Sequence, residues 1–440
     1  MTKDAQGELV SGAQAESITL FDQAVRAFCL VYGDPLGLVD AALKISPGFV
    51  MAYLTKAWML ALPNDPALAR IARKIIESAG TFAMNERERA HYAAVELAAT
   101  GSRRAAVAVL DRYLMSHPLD IVAHLAAAFL EVYRGRTPWE RDRVARALPF
   151  WSKDTPGYGI MLALHGFGLE EGGDYARAED ESRAAVDLEP HNFFPHHTVA
   201  HVMEMTGRPE DGLGWMAARE AFWAAPDNGM RSHIWWHKSL FHLDLGQFDA
   251  ALALYDGPIL QTMRPIGTRL CDPTALLWRL DMLGCDVGNR WRDLLPILDG
   301  HADGKCLVFT DMHAAMAELR SGNEALVERR LSWMRATAAS NAEAAPIYRD
   351  VGVPLVEGLM AFHQGAYDRA VARLFPIRYD LWQIGGSNAQ RDIVDWTLTE
   401  AAVRGGMRDV ALALSYERLG TRPRSMVNRR FQRHAEQIVH

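Results

Sequence analysis

Five of the 16 histidines in this 440-residue chain fall in two short runs, "HHTVAHVMEM" at 196–205 and "SHIWWH" at 232–237. Neither a packed core nor a solvated face selects for such a concentration. His197, His201 and Glu204 stand at i, i+4 and i+7, which on a helix puts them in one stripe, with His196 pointing off it. His233, Trp236 and His237 make a second stripe of the same kind. Two His-x-x-x-His pairs are a workable metal-binding arrangement, because both imidazoles of each pair leave one helical face. Asp311 and His313, with Glu204, would add oxygen and nitrogen donors or a general base. Imidazole and carboxylate without thiolate suit Zn²⁺, Mn²⁺ or Fe²⁺, which His197, His201, His233 and His237 would hold so that it activates water or polarises a carbonyl.

Two other readings use the same residues. One is a ligand-binding or catalytic pocket with no cofactor. The other is a hydrogen-bond network that only stabilises the fold. Repulsion between charged histidines at i, i+4 is about 0.2–0.5 kcal/mol, too weak to require a metal. An unpaired buried N–H costs about 1–3 kcal/mol, so some network is needed in every case. No HExxH helix, glycine-rich phosphate loop, GxSxG elbow or dinucleotide fingerprint occurs.

The elements that must carry these stripes are helices. Apolar residues recur at three- and four-residue spacing, as in "VMAYLTKAWMLAL" and "ALLWRLDML", and prolines and glycines mark the joints. The composition, 49% hydrophobic and 23% charged, is that of a globular protein with ample core. A net charge of −7 without a Lys/Arg-rich block argues against a nucleic-acid partner. Scarce lysine beside abundant arginine and alanine points to a GC-rich, bacterial genome. The four scattered cysteines, without CxxC, suggest neither disulfides nor a thiolate site. With no apolar leader and no run of membrane-spanning length, a cytoplasmic protein is expected, with a polar N-terminal tail over 1–17 and one domain over 18–440.

A repeat underlies the helical pattern. Gly173, Gly246 and Gly365 each open a Gly-x-aromatic-x-x-Ala motif, and both Gly101 to Gly135 and Gly173 to Gly207 span 34 residues. The glycine permits a tight turn, the aromatic packs at the crossing, and the alanine lets two helices approach closely. Motif and period resemble the tetratricopeptide repeat (TPR). That resemblance implies an all-α, TPR-like superhelix of helical hairpins (an α-solenoid) curling round a concave central pocket. The first helix of each pair lines the pocket and ends at the glycine turn, which gives inner helices over about 193–206 and 230–245. The two histidine stripes would then face one hollow.

A longer similarity runs along the chain. "HTVAHVMEM" from His197, "HIWWHKSL" from His233, "DPTALLWRL" from Asp272, Asp311-Met-His313 and "GGSNAQRD" at 385–392 resemble, in order, the motifs of the tetratricopeptide repeat protein 38 family. The family is defined largely by its fold, so the resemblance speaks to architecture more than to activity.

Several further residues have two readings. Trp236 would wall a ligand. Asp272-Pro273 and Asp34-Pro35 fit an N-cap followed by proline at the first helical position, although Asp272 could also turn an oxygen into the hollow. Ser387-x-x-Gln390 fits a capping box, and that helix start, with Arg391 and Asp392 following, would also suit a carboxylate or phosphate. Arg279 is an anion clamp or a partner for Asp272. Trp215, Trp223 and Trp278 fit packing roles. The expected function is binding of a small polar or acidic molecule, with hydrolase- or lyase-type acid–base or metal-assisted chemistry. The catalytic candidates are His197, His201, Glu204, His233, His237, Asp311 and His313; the ligand-binding candidates are Trp236, Asp272, Arg279, Arg391 and Asp392. The alternative is a non-catalytic scaffold holding a protein or peptide in its groove. Partners are therefore a small molecule, with a protein or a second copy of the chain left open, and neither nucleic acid nor membrane.

Overall fold

A computed structural model of the chain describes residues 2–298 and 300–439. Apart from a two-stranded antiparallel hairpin, Thr2–Lys3 with Leu9–Val10, and the single bridge Tyr32–Asn228, the described residues form helices and their connections. The chain divides into two compact units, one running to Val199 and including Ala221–Met230, the other made of Ala200–Glu220 and the residues from Arg231 onward. The N-terminal stretch belongs to the first unit, where Asp4 and Val10 are buried and the first helix begins at Ala15. No described helix is long and apolar enough to cross a membrane.

Antiparallel helix pairs make up each unit. In the first, Tyr158–Glu171 packs along Tyr175–Leu188 and Val50–Ala61 along Pro66–Ala79. In the second, Val353–His363 packs along Tyr367–Leu374 and Arg408–Thr421 along Met426–Glu436. The repeated motif works mechanically as its residues suggest. Gly173, Gly246 and Gly365 have φ of +83°, +71° and +73°, values that a Cβ would strain. Tyr175, Phe248 and Tyr367 each begin the next helix, and Ala178, Ala251 and Ala370 are fully buried. Close approach is just as tight at Gly212, where an added Cβ would sit 2.4 Å from the Phe241 ring.

Two helices of the second unit, Cys271–Met282 and Val308–Arg320, bury every residue but one. The exceptions, Asp281 and Arg320, pair with each other. Polar side chains elsewhere on these helices must find partners inside protein, because water is excluded. Capping follows the sequence at Asp34, whose carboxylate accepts from the Gly37 N–H at 3.0 Å, and at Ser387 and Gln390, which form a capping box. It does not at Asp272. A short 3₁₀ turn, Gly267–Leu270, feeds the helix that starts at Cys271, so Asp272 lies within the first turn and its carboxylate is free for another use.

Candidate functional site

The predicted inner helices appear as Phe193–Met205 and Arg231–Asp244. His201, His233 and His237, all of the second unit, come together. His201 Nε2 lies 3.1 Å from His237 Nε2, which lies 3.3 Å from His233 Nε2. The other nitrogens of the Arg231–Asp244 pair are held by carboxylates. Glu204 Oε2 is 3.2 Å from His237 Nδ1, and Asp272 Oδ2 is 2.8 Å from His233 Nδ1. All five residues are buried. One ligand-capable nitrogen from each of the three histidines lies within 4.8 Å of the others.

Trp236 forms a wall of this centre. Its ring stacks on His233 with centroids 5.5 Å apart and planes 13° off parallel, and meets His237 edge-on at 4.6 Å. Trp236 is fully buried, and its indole N–H finds no acceptor among the described residues. The second oxygen of Asp272, Oδ1, is likewise buried and unpaired. Arg279, only 1% exposed, stacks between Trp236 and Trp396 at 5.7 and 5.4 Å from their centroids. Its hydrogen bonds go to the carbonyl oxygens of Ala275 and Ala389, both at a long 3.4 Å. Burial pushes its guanidinium down to about 10, against the fields of Asp392 and Glu204. Burial also raises Glu204, to about 7, although Arg422, His201 and Arg279 pull the other way.

The other predicted residues each have further partners of their own. His197, one turn before His201 on the same helix, falls in the first unit, where its ring stacks on Phe193 at 4.9 Å and lies 5.3 Å from Phe167. His196 is buried and bonded to the Pro190 carbonyl at 2.8 Å. Asp311 turns away from the histidines. It accepts from Arg330 at 2.7 Å, the Tyr348 hydroxyl at 2.7 Å and the Gly304 N–H at 2.9 Å, while burial lifts it to about 6. His313, two residues on and hence on another helical face, is bonded to the Phe309 carbonyl at 2.7 Å; burial lowers it to about 4, so it is neutral at pH 7. Arg391 bonds the Gly386 carbonyl and the Asn388 side chain. Asp392 is bound by Arg418 at 2.8 and 3.0 Å, Arg422 at 3.0 Å and the Trp396 N–H at 2.8 Å. Burial alone would raise Asp392, but Arg418 and Arg422 reverse that and hold it well below the usual range. Arg418 and Arg422 carry no call in the sequence reading. The signal was there: two arginines at i, i+4, following the 385–392 motif.

These observations define a TPR-like α-solenoid protein, all-α and built of glycine-hinged helix pairs. No family model matches the chain. Among solved structures it is similar to the human IFIT1 dimer with m7Gppp-AAAA, at TM-score 0.45 and 12% identity over 95% of this chain and 94% of that one. It is also similar to the human IFIT1 dimer with PPP-AAAA, at TM-score 0.44 and 12% identity over 97% and 96%. Both were solved with an oligonucleotide, and the exclusion of nucleic acid drawn above from net charge is withdrawn. A charge of −7 is an average over 440 residues and fixes no sign for any one surface.

Proposed function

We propose that this TPR-like protein, of the tetratricopeptide repeat protein 38 type by its motifs, is a binding protein. Its second unit takes a small anionic molecule, a carboxylate or phosphate ester, beside the histidine centre. The observation that carries this reading is Arg279, a buried guanidinium to which no described carboxylate is hydrogen-bonded. Desolvating a charge costs several kcal/mol, and a chain that needed only packing there would be more stable with an apolar side chain. The unpaired Trp236 N–H and Asp272 Oδ1 are a donor and an acceptor in the same neighbourhood, suited to the polar groups of such a molecule. The Glu204–His237 pair, 3.2 Å apart, favours a second reading in which the bound molecule also undergoes proton transfer. A peptide or protein held on the repeat rests on the fold class alone.

The test is thermal unfolding of wild type and Arg279→Met against a panel of small mono- and dicarboxylates and phosphate esters. The expected result is at least one anion that stabilises the wild type and not the variant, with the empty variant as stable as wild type or more so. A panel without effect on the wild type, or effects equal in both proteins, removes the reading.

A further inference from the structure

We infer that His201, His233 and His237 form a binding site for one divalent first-row transition metal ion, with Glu204 and Asp272 as the carboxylates that orient its ligands. The inference concerns the same centre as the proposed function but stands apart from it, since it needs no anion.

The argument begins with protons. An imidazole facing a carboxylate through Nδ1 carries its hydrogen there, because only a donor satisfies that contact. His237 faces Glu204 in this way and His233 faces Asp272. In their neutral forms both rings then have their acceptor position at Nε2. Those two Nε2 atoms lie 3.3 Å apart, and His201 Nε2 lies 3.1 Å from the same atom of His237. Two lone pairs at that distance repel unless a cation stands between them. A proton serves one pair only, since an imidazole nitrogen has a single lone pair to accept with. A metal ion serves all three rings at once.

The distances agree with that ion. Zn–N bonds of about 2.0–2.1 Å in a tetrahedron put ligand nitrogens about 3.3–3.4 Å apart, close to both measured separations. The surroundings agree as well. Metal-bound histidines characteristically donate their other N–H to a carboxylate, which fixes the tautomer and the ring orientation. Here two of the three face a carboxylate through Nδ1, one carried by the preceding inner helix and one by Cys271–Met282. Carboxyl groups of Glu204 and Asp272 beside the three imidazoles also suit a buried 2+ ion, whose charge would otherwise be costly to desolvate. Three imidazoles without a first-sphere oxygen narrow the earlier choice of metals, because Mn²⁺ prefers oxygen donors and nitrogen ligands favour the later ions, Zn²⁺ among them.

The experiment uses the full-length, untagged protein, stripped with a chelator and titrated with Zn²⁺ by calorimetry and with Co²⁺ by visible absorption, with no anion beyond buffer. The expected result is uptake of about one equivalent, with the intense d–d bands of tetrahedral Co²⁺. His237→Ala should weaken binding at least 100-fold, and Asp272→Asn, which keeps all three ligands, by about 10- to 100-fold. Circular dichroism of each variant establishes that it folds. If His237→Ala does not fold, the wild-type Co²⁺ spectrum and the Asp272→Asn shift carry the test. Sub-stoichiometric uptake by the wild type, octahedral-type weak Co²⁺ bands, or a His237→Ala affinity equal to wild type overturns the inference. Failure of the anion panel leaves it untouched, and a metal-free protein that still binds anions through Arg279 overturns it alone.

Discussion

Both units bury a cluster of histidine, carboxylate, aromatic and arginine side chains, and the two clusters are wired differently. In the first unit Asp120 Oδ2 accepts from Arg87 at 2.7 Å, His91 at 3.0 Å and Tyr113 at 2.9 Å, while Arg87 also reaches Asp4 at 2.6 Å. His91 Nδ1 accepts from the Trp58 indole at 3.0 Å. That network closes on itself: His91 donates at Nε2 and accepts at Nδ1, and a guanidinium lies between the two carboxylates. In the second unit Nδ1 of His237 and of His233 faces Glu204 and Asp272, and the Nε2 atoms of His201, His237 and His233 face one another in turn. A closed network is what a fold uses to stabilise itself. Donor atoms converging on one point are what a binding site looks like before its ligand is considered.

The largest expected effect breaks the closed cluster. Burial alone would raise Asp120, but Arg87 and His91 hold it well below the usual range, so it is a charge the fold depends on. Asp120→Ala strands Arg87 with Asp4, leaves His91 and Tyr113 without an acceptor, and removes the cap from the helix starting at Ile121. Breaking a buried ion pair in this way costs about 3–5 kcal/mol. Thermal unfolding should show a loss of that order in Asp120→Ala and also a clear loss in His91→Ala, while Zn²⁺ uptake by whatever remains folded is unchanged. A His91→Ala variant that loses metal binding as His237→Ala does would erase the contrast between the units.

The sequence made one of these clusters visible and hid the other, for a physical reason. His201, Glu204, His233 and His237 lie on two successive inner helices, so the 3.6-residue period and the repeat bring them to notice together. Asp4, the Arg87–His91 pair of one helix and Asp120 come from three separate stretches of chain, and no local pattern joins the three. Local proximity also misled. Asp311 and His313 look like one ligand pair, but two residues on a helix is about 200° of rotation, and Asp311 serves Arg330 and Tyr348 instead. Asp272 has the look of a cap because proline follows it, and what decided otherwise was a 3₁₀ turn just upstream that the sequence does not announce. Glycine hinges, buried alanines and the Ser387 box were legible because their rules are local.

The next effect is one of pH, and it differs in sign between the units. His124, buried in the first unit and bonded to the Pro118 carbonyl at 3.1 Å, is lowered to about 4 by burial. The unfolded chain therefore binds a proton that the fold refuses between about pH 6.5 and 4, so the stability His124 supports is complete above that window and lost on descending through it. Asp311 of the second unit is raised to about 6 by burial, so there the fold binds the proton first and stability falls as pH rises from about 4 to 6. His124→Gln should flatten the acid-side loss by about 2–3 kcal/mol between pH 7 and 4.5, and Asp311→Asn should steepen it, as read from unfolding midpoints. Equal slopes in wild type and His124→Gln would contradict the assignment.

The smallest effect sharpens the contrast within the second unit. The glycine-rich stretch 385–392 has two readings in the sequence, a helix cap and an anion site, and its geometry follows the first. Ser387 Oγ accepts from the Gln390 N–H at 3.2 Å, and the Gln390 side-chain oxygen accepts from the Ser387 N–H at 3.0 Å. Arg391 is turned onto the Gly386 carbonyl and Asn388, and Asp392 is bound by Arg418 and Arg422. Like the Asp120 cluster, this motif satisfies its own groups and leaves little to offer a ligand. Ser387→Ala should thus cost about 1 kcal/mol, the ordinary worth of a cap. The stabilisation that anions give the wild type should persist in it undiminished, in contrast to Arg279→Met. Were Ser387→Ala to abolish the anion effect and leave unfolding unmoved, the anion site would lie at this helix start, and Arg279 would be a packing residue after all.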